Sequence, residues 1–197
     1  MNAPLPKKNS DGSYTTGPSP MAIDGDGANG QSSLPVYAPA GKPSLDYLAN
    51  AGGPGNWYGI VTHPNGAPVI QGADDPCPGA YVSATSYMHK GRSRTDPRAY
   101  VDSASVIYIV LPSHWRKEAE GIVLGCKATV LDTKTGKETD AVVADFGPRA
   151  KLGEASIACA NFFGVPSSPK NGGTDSKRFI YTFFPGVAAE GFELQPM

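Results

Sequence analysis

The sequence is short of cysteine and histidine and has no long apolar run, and each shortage removes a class of function. Its 3 cysteines cannot all pair, and none stands in a C-x-x-C arrangement. Cys126 falls in an expected strand and Cys159 on an apolar helix face, so both read as buried thiols, with a Cys126–Cys159 bridge as the alternative. The 3 histidines, His63, His89 and His114, share no metal-ligand spacing, and neither a metal nor a cofactor is expected. Without a G-x-S-x-G there is no elbow for a nucleophilic serine. Neither sign of charge is in excess, at 17 basic against 18 acidic side chains, which argues against a nucleic-acid partner. No apolar stretch reaches spanning length, which argues against a membrane partner. Met1 to Pro20 carries Lys7 and Lys8 with no apolar core behind them. Action outside the cell or in the wall space would then rest on a dedicated export machine or on a trimmed chain.

What the sequence has in quantity is Gly (24) and Pro (19), which suit many turns between short strands better than a helical bundle. The 197 residues allow one domain with a substantial core. Residues 1–20 are polar and Pro/Gly-rich and read as a mobile leader, leaving 21–197 as a single domain, expected to be monomeric. Met21 to Asn29 reads as a Gly-rich acidic turn. Its D-x-D-G is no EF-hand, since the twelfth position from Asp24 is Pro35. A helical turn is expected over Leu45–Ala51 with Ser44 as its cap, and strands over Trp57–Thr62, Ala80–Tyr87, Val106–Leu111, Ile122–Leu131, Glu138–Ala144 and Phe179–Phe184. The fold class that follows is mainly β, a closed barrel of six or seven strands with one or two short helices.

The chemistry concentrates between Asp140 and Val165. Ala141–Ala144 is a short strand, after which Gly147-Pro148 forces a turn. Ala155, Ala158, Cys159 and Phe162 then recur at helical spacing, and Gly164 ends the helix. Asp145 is expected at the strand end and Glu154 in the first helical turn, two acids flanking one tight connection.

The run AVVADFGP followed by LGEASIACANFFG resembles the core motif of the glycoside hydrolase family 75 chitosanases. That resemblance implies that Asp145 and Glu154, nine residues apart, are the catalytic carboxylates, with Gly153-Glu154-Ala155-Ser156 matching letter for letter. It extends to Ile23-Asp24-Gly25-Asp26-Gly27 and to the segment from Pro78 to Ser86, and covers roughly residues 20 to 186. It implies that Asp24 and Asp26 line the substrate wall or fix the fold, with Thr85 and Ser86 near the cleft. It also implies an inverting, one-step attack by water, and the pattern of strand, Asp, Gly-Pro and short helix resembles the double-psi β-barrel.

Glycoside cleavage by two carboxyls needs one acid and one base. Glu154 is assigned as the acid and Asp145 as the base, with the reverse left open. The expected substrate is chitosan, a cationic polymer whose cleft should gather acids from Asp24, Asp26, Asp74, Asp75 and Asp102. Tyr81, Tyr87, Trp57 and Trp115 are candidates to stack on sugars. A second reading is a peptidoglycan-cleaving effector, whose wider groove would place Arg149, Arg92 or Arg94 at its rim. A third is a non-catalytic carbohydrate-binding barrel.

Overall fold

A computed structural model describes residues 1–196. The barrel is a closed ring of six strands: β3 (Ser19–Asp24), β6 (Tyr108–Pro112), β7 (Cys126–Asp132), β8 (Glu138–Gly147), β9 (Glu154–Ser156) and β10 (Thr174–Ala188). Around the ring the order is β3, β9, β6, β8, β7, β10, and β10 closes on β3. Pairing is mixed: β3–β9 and β6–β8 are parallel, the others antiparallel. This is the mainly β closed barrel that the sequence led us to expect. Its two α-helices are α1 (Trp115–Glu118) and α2 (Ile157–Phe163), and no helix among the described residues is long and apolar enough to cross a membrane.

Alternation explains the interior. In β7, Cys126, Ala128, Val130 and Asp132 are buried and the residues between them half-buried, the period of two that puts one strand face on a core. Phe179, Tyr181 and Phe183 of β10 fill the same interior, with Trp115 edge-on to Phe183. Cys126 and Cys159 are buried free thiols within this cluster, so the bridge is not formed.

The first twenty residues depart from the expected mobile leader. Two short strands, β1 (Lys7–Lys8) and β2 (Tyr14–Thr15), continue the sheet along β10. The Thr16 hydroxyl accepts from Tyr181 N at 3.1 Å, and buried Ala3 donates its N–H to Arg149 O at 2.8 Å. Composition pointed to a loose segment because it is held by backbone and polar side-chain bonds, which leave no apolar period in the sequence.

The other departure lies between β3 and β6. The strands expected over Trp57–Thr62 and Ala80–Tyr87 are reduced to isolated bridges, Ile60 with Ser83 and Ile70 with Tyr81, beside the two-residue strands β4 (Gly52–Gly53) and β5 (Asn56–Trp57). Asn29 is the reason. Its fully buried side chain accepts from Ser83 N at 2.7 Å and donates to Ser83 O at 2.9 Å, taking the place a neighbouring strand would fill. The helical turn over Leu48–Ala51 forms without Ser44 as its cap.

Candidate active site

The long excursion between β3 and β6 lies over one wall of the barrel and leaves a groove of about 620 Å³. Register places its acids. Across β6, Val110 pairs with Asp145 on one side and with Glu154 on the other. Beyond Glu154, Ala22 is the partner on β3, two residues before Asp24. Paired residues project to the same face, so Asp24, Glu154, Val110 and Asp145 share one face of four adjacent strands, while Ile109 and Ala155 face the core. The backbones of Asp145 and Glu154 are then two strand spacings apart, about 10 Å.

Asp145 reaches this face only through a bulge. Ile109 pairs with Val143, yet Val110 pairs with Asp145, so Ala144 is the extra residue. An uninterrupted ladder would turn Asp145 inward with Val143; the bulge re-aims it to the groove. Hence Asp145 lies inside β8, which runs on to Gly147, and not at a strand end as expected.

Glu154 also differs from expectation. It sits on β9, and α2 begins only at Ile157 with Ser156 as its N-cap. Glu154 is therefore off the helix terminus and not, as the sequence led us to expect, in the first helical turn. Its Oε1 accepts from Lys151 Nζ at 2.7 Å. Its other oxygen rests beside Gly147, where a Cβ would approach Oε2 to 2.8 Å, so the carboxylate occupies the space a side chain at Gly147 would need. Gly153 carries φ +94°, and a Cβ there would stand 2.1 Å from Pro20 O, which requires glycine where β9 meets β3.

The Asp145 carboxyl is buried, at 7% exposure. Its Oδ1 accepts from Ser86 N at 2.9 Å, Ser86 Oγ at 2.5 Å and Phe146 N at 2.7 Å. Burial raises its pKa to about 6, against these three bonds, with a further push from the Glu154 charge. Asp24 and Asp26, half-buried in the groove wall, are raised well above the usual carboxylate range. For Asp24 the causes are burial, then Asp145 and Glu154; for Asp26 they are burial, then Asp24 and Asp145. One oxygen from each of Asp24, Asp26 and Asp145 lies within 4.8 Å of the others, a density that calls for a cation or protons between them.

Other expected residues divide. Ser86 touches Asp145 directly. Thr85 is buried and structural, its Oγ1 donating to Tyr87 O at 2.8 Å and accepting from Val101 N at 3.1 Å. Tyr81 packs on Trp57 at 6.3 Å between ring centres, away from the groove lining. Tyr87 and Trp115 are core. Arg149 is exposed and turns to Asn2, with Nε 3.4 Å from Oδ1. Asp74, Asp75 and Asp102 do not line the groove. The lining contains instead Asp46, buried Tyr37 and the 69% exposed Tyr58, none of which lay in a recognisable motif. An aromatic so exposed beside a groove is a ready platform for a sugar face, and the Trp57-Tyr58-Gly59 sequence was its only signal.

Compared with protein-family models and with curated proteins, the sequence matches none.

Proposed function

We propose that the chain is an inverting glycoside hydrolase acting within a polymer of β-1,4-linked glucosamine. The observation that carries this reading is the meeting of Asp145, Glu154, Asp24 and Asp26 in one groove, although more than a hundred residues separate the two pairs. Two carboxyls facing a shared groove across one intervening strand leave room for a water between them. The absence of Arg149 from the lining favours an amino-sugar polymer over one bearing carboxylate branches.

The surroundings of the two carboxyls support roles opposite to those first assigned. Lys151 Nζ lies 2.7 Å from Glu154 Oε1, an ion-pair partner suited to a carboxylate acting as base. Asp145 is buried, keeps its proton to about pH 6 and has Oδ2 left to carry it, since Oδ1 takes all three donors. In this reading Asp145 protonates the leaving oxygen while Glu154 takes a proton from the attacking water. The sugar is released with inverted configuration, and Ser86 and Phe146 N hold the Asp145 carboxyl in place.

The test is reducing-end release from chitosan and from purified peptidoglycan, run in parallel outside the cell. Release from chitosan alone is the expected result. Release from peptidoglycan alone would replace the substrate class, and binding to either polymer without release would leave a carbohydrate-binding barrel.

A further inference from the structure

The hydroxyl partners of Asp24 and Asp26 have too few protons for the bonds around them. Tyr108 Oη lies 3.0 Å from Asp24 Oδ2 and 2.9 Å from Asp26 O, and a phenol has one proton to give. Ser83 Oγ lies 3.1 Å from Asp26 Oδ1 and 2.9 Å from Gly59 O, again with one proton between two acceptors. The backbone carbonyls can only accept. If each hydroxyl donates to its carbonyl, the carboxyl on its other side must bring the missing proton.

We infer that Asp24 and Asp26 are uncharged carboxylic acids that donate hydrogen bonds to Tyr108 and Ser83, closing two chains that end on Asp26 O and Gly59 O. Ser83 Oγ can accept this proton as well as that of Gly27 N, 3.2 Å away, because a hydroxyl has two lone pairs. Asp24 Oδ1 stays free to accept from Asp26 N at 2.9 Å. The acids packed on the pair favour this state, and with burial they outweigh the bonds from Tyr108, Ser83 and Tyr37, which pull the other way. Asp145 from β8 and Glu154 from β9 are acids, Tyr108 from β6 and Tyr37 from the excursion are phenols, and Asp46 is a further acid in the lining. Lys151 is the one cation lining the groove among the described residues, and it is engaged by Glu154. Burial and the neighbouring carboxyls raise both acids, in the direction this requires.

The bearing on catalysis rests on the hydrolase reading: Asp24 is then a positioning residue that holds Tyr108 and the turn at Gly25 against the groove floor. The protonation state itself does not depend on that reading and is testable without turnover. A carboxyl whose folded pKa is raised stabilises the fold most below its unfolded value. That contribution is lost as pH rises through the folded value. Asn at position 24 mimics the neutral acid, with Oδ1 toward Asp26 N and Nδ2 toward Tyr108, and carries no such pH dependence. Asp24→Asn in the full chain should therefore melt higher than the parent at pH 7, by at least about 3 °C. The gap should close towards pH 4, and Asp24→Ala should fall below Asn at every pH. In parallel, the ¹³C carboxyl resonance absent from Asp24→Asn should keep its protonated shift up to pH 7 in the parent. A resonance that titrates at or below the ordinary aspartate value would overturn the inference. So would an Asn variant whose stability relative to the parent is lower at pH 7 than at pH 4. A protein that cleaves neither polymer would leave both readouts intact.

Discussion

Asp145 and Glu154 are chemically similar side chains made different by what touches them. Asp145 is enclosed and held by Ser86, whereas Glu154 is paired to a lysine that is itself half in solvent. Replacing Asp145 with Asn should cut turnover of natural polymer by at least about a hundredfold, the usual contribution of a general acid. A substrate with an activated leaving group needs little protonation, so its cleavage should be largely spared in this variant and lost in Glu154→Gln. The opposite pattern, measured by single-turnover kinetics, would exchange the two roles. Activity of the parent should fall as pH rises through about 6, where Asp145 loses its proton. Stability follows the same sign: Asp145 favours the fold below its unfolded value of 3.8, and that advantage disappears as pH passes about 6. Asp145→Asn should accordingly be at least as stable as the parent above that pH in thermal melts, an exchange of activity for stability common at active sites.

At the scale of the element, Gly153-Glu154-Ala155-Ser156 assigns one task to each position. Gly153 permits a close crossing with Pro20, Glu154 faces the groove, Ala155 fits the core at 0% exposure, and Ser156 caps α2. The motif was legible as letters, and so were the acids, the Gly164 stop and the two strands that became β7 and β8. The three-residue strand β9 was not, because so short a strand shows no period before the helical one begins. Nor was the bulge at Ala144, which depends on β6, some thirty residues earlier. Ser156 gives a direct test of the element. Its Oγ accepts from Cys159 N and from Tyr108 N, both at 3.1 Å and both buried. Ser156→Ala strands two buried donors, one of them the cap of α2, and should cost about 2 kcal/mol or more in denaturant unfolding. A loss under about 0.5 kcal/mol would mean that α2 does not depend on this cap.

For the whole molecule, the barrel supplies rigidity and the irregular segments supply the site. The groove has one wall from four barrel strands and the other from an excursion packed by its own small clusters, around Val36 and Tyr37 and around Val69 and Val82. This division was only half visible beforehand, since the excursion is organised by Asn29, a single polar side chain with no pattern to mark it. The chain's first residues extend the same logic to the other end of the site. Ala3 N–H donates to Arg149 O and Ala3 O accepts from His114 Nε2 at 3.0 Å, which ties the loop after β8 to the start of α1. That loop carries Lys151 and leads into Glu154. Deleting residues 1–6 removes this tie while sparing β1 and all six barrel strands. The barrel should keep its cooperative unfolding, with a fall in melting temperature of less than about 5 °C, because few apolar contacts are lost. Amide exchange over residues 149–153 should quicken by at least about tenfold, which corresponds to little more than one lost hydrogen bond. Turnover should fall as Lys151 loses its fixed place beside Glu154. Unchanged exchange in that loop would mean that the N-terminal segment only lies on the barrel, and that the Lys151–Glu154 pair is held by the barrel alone.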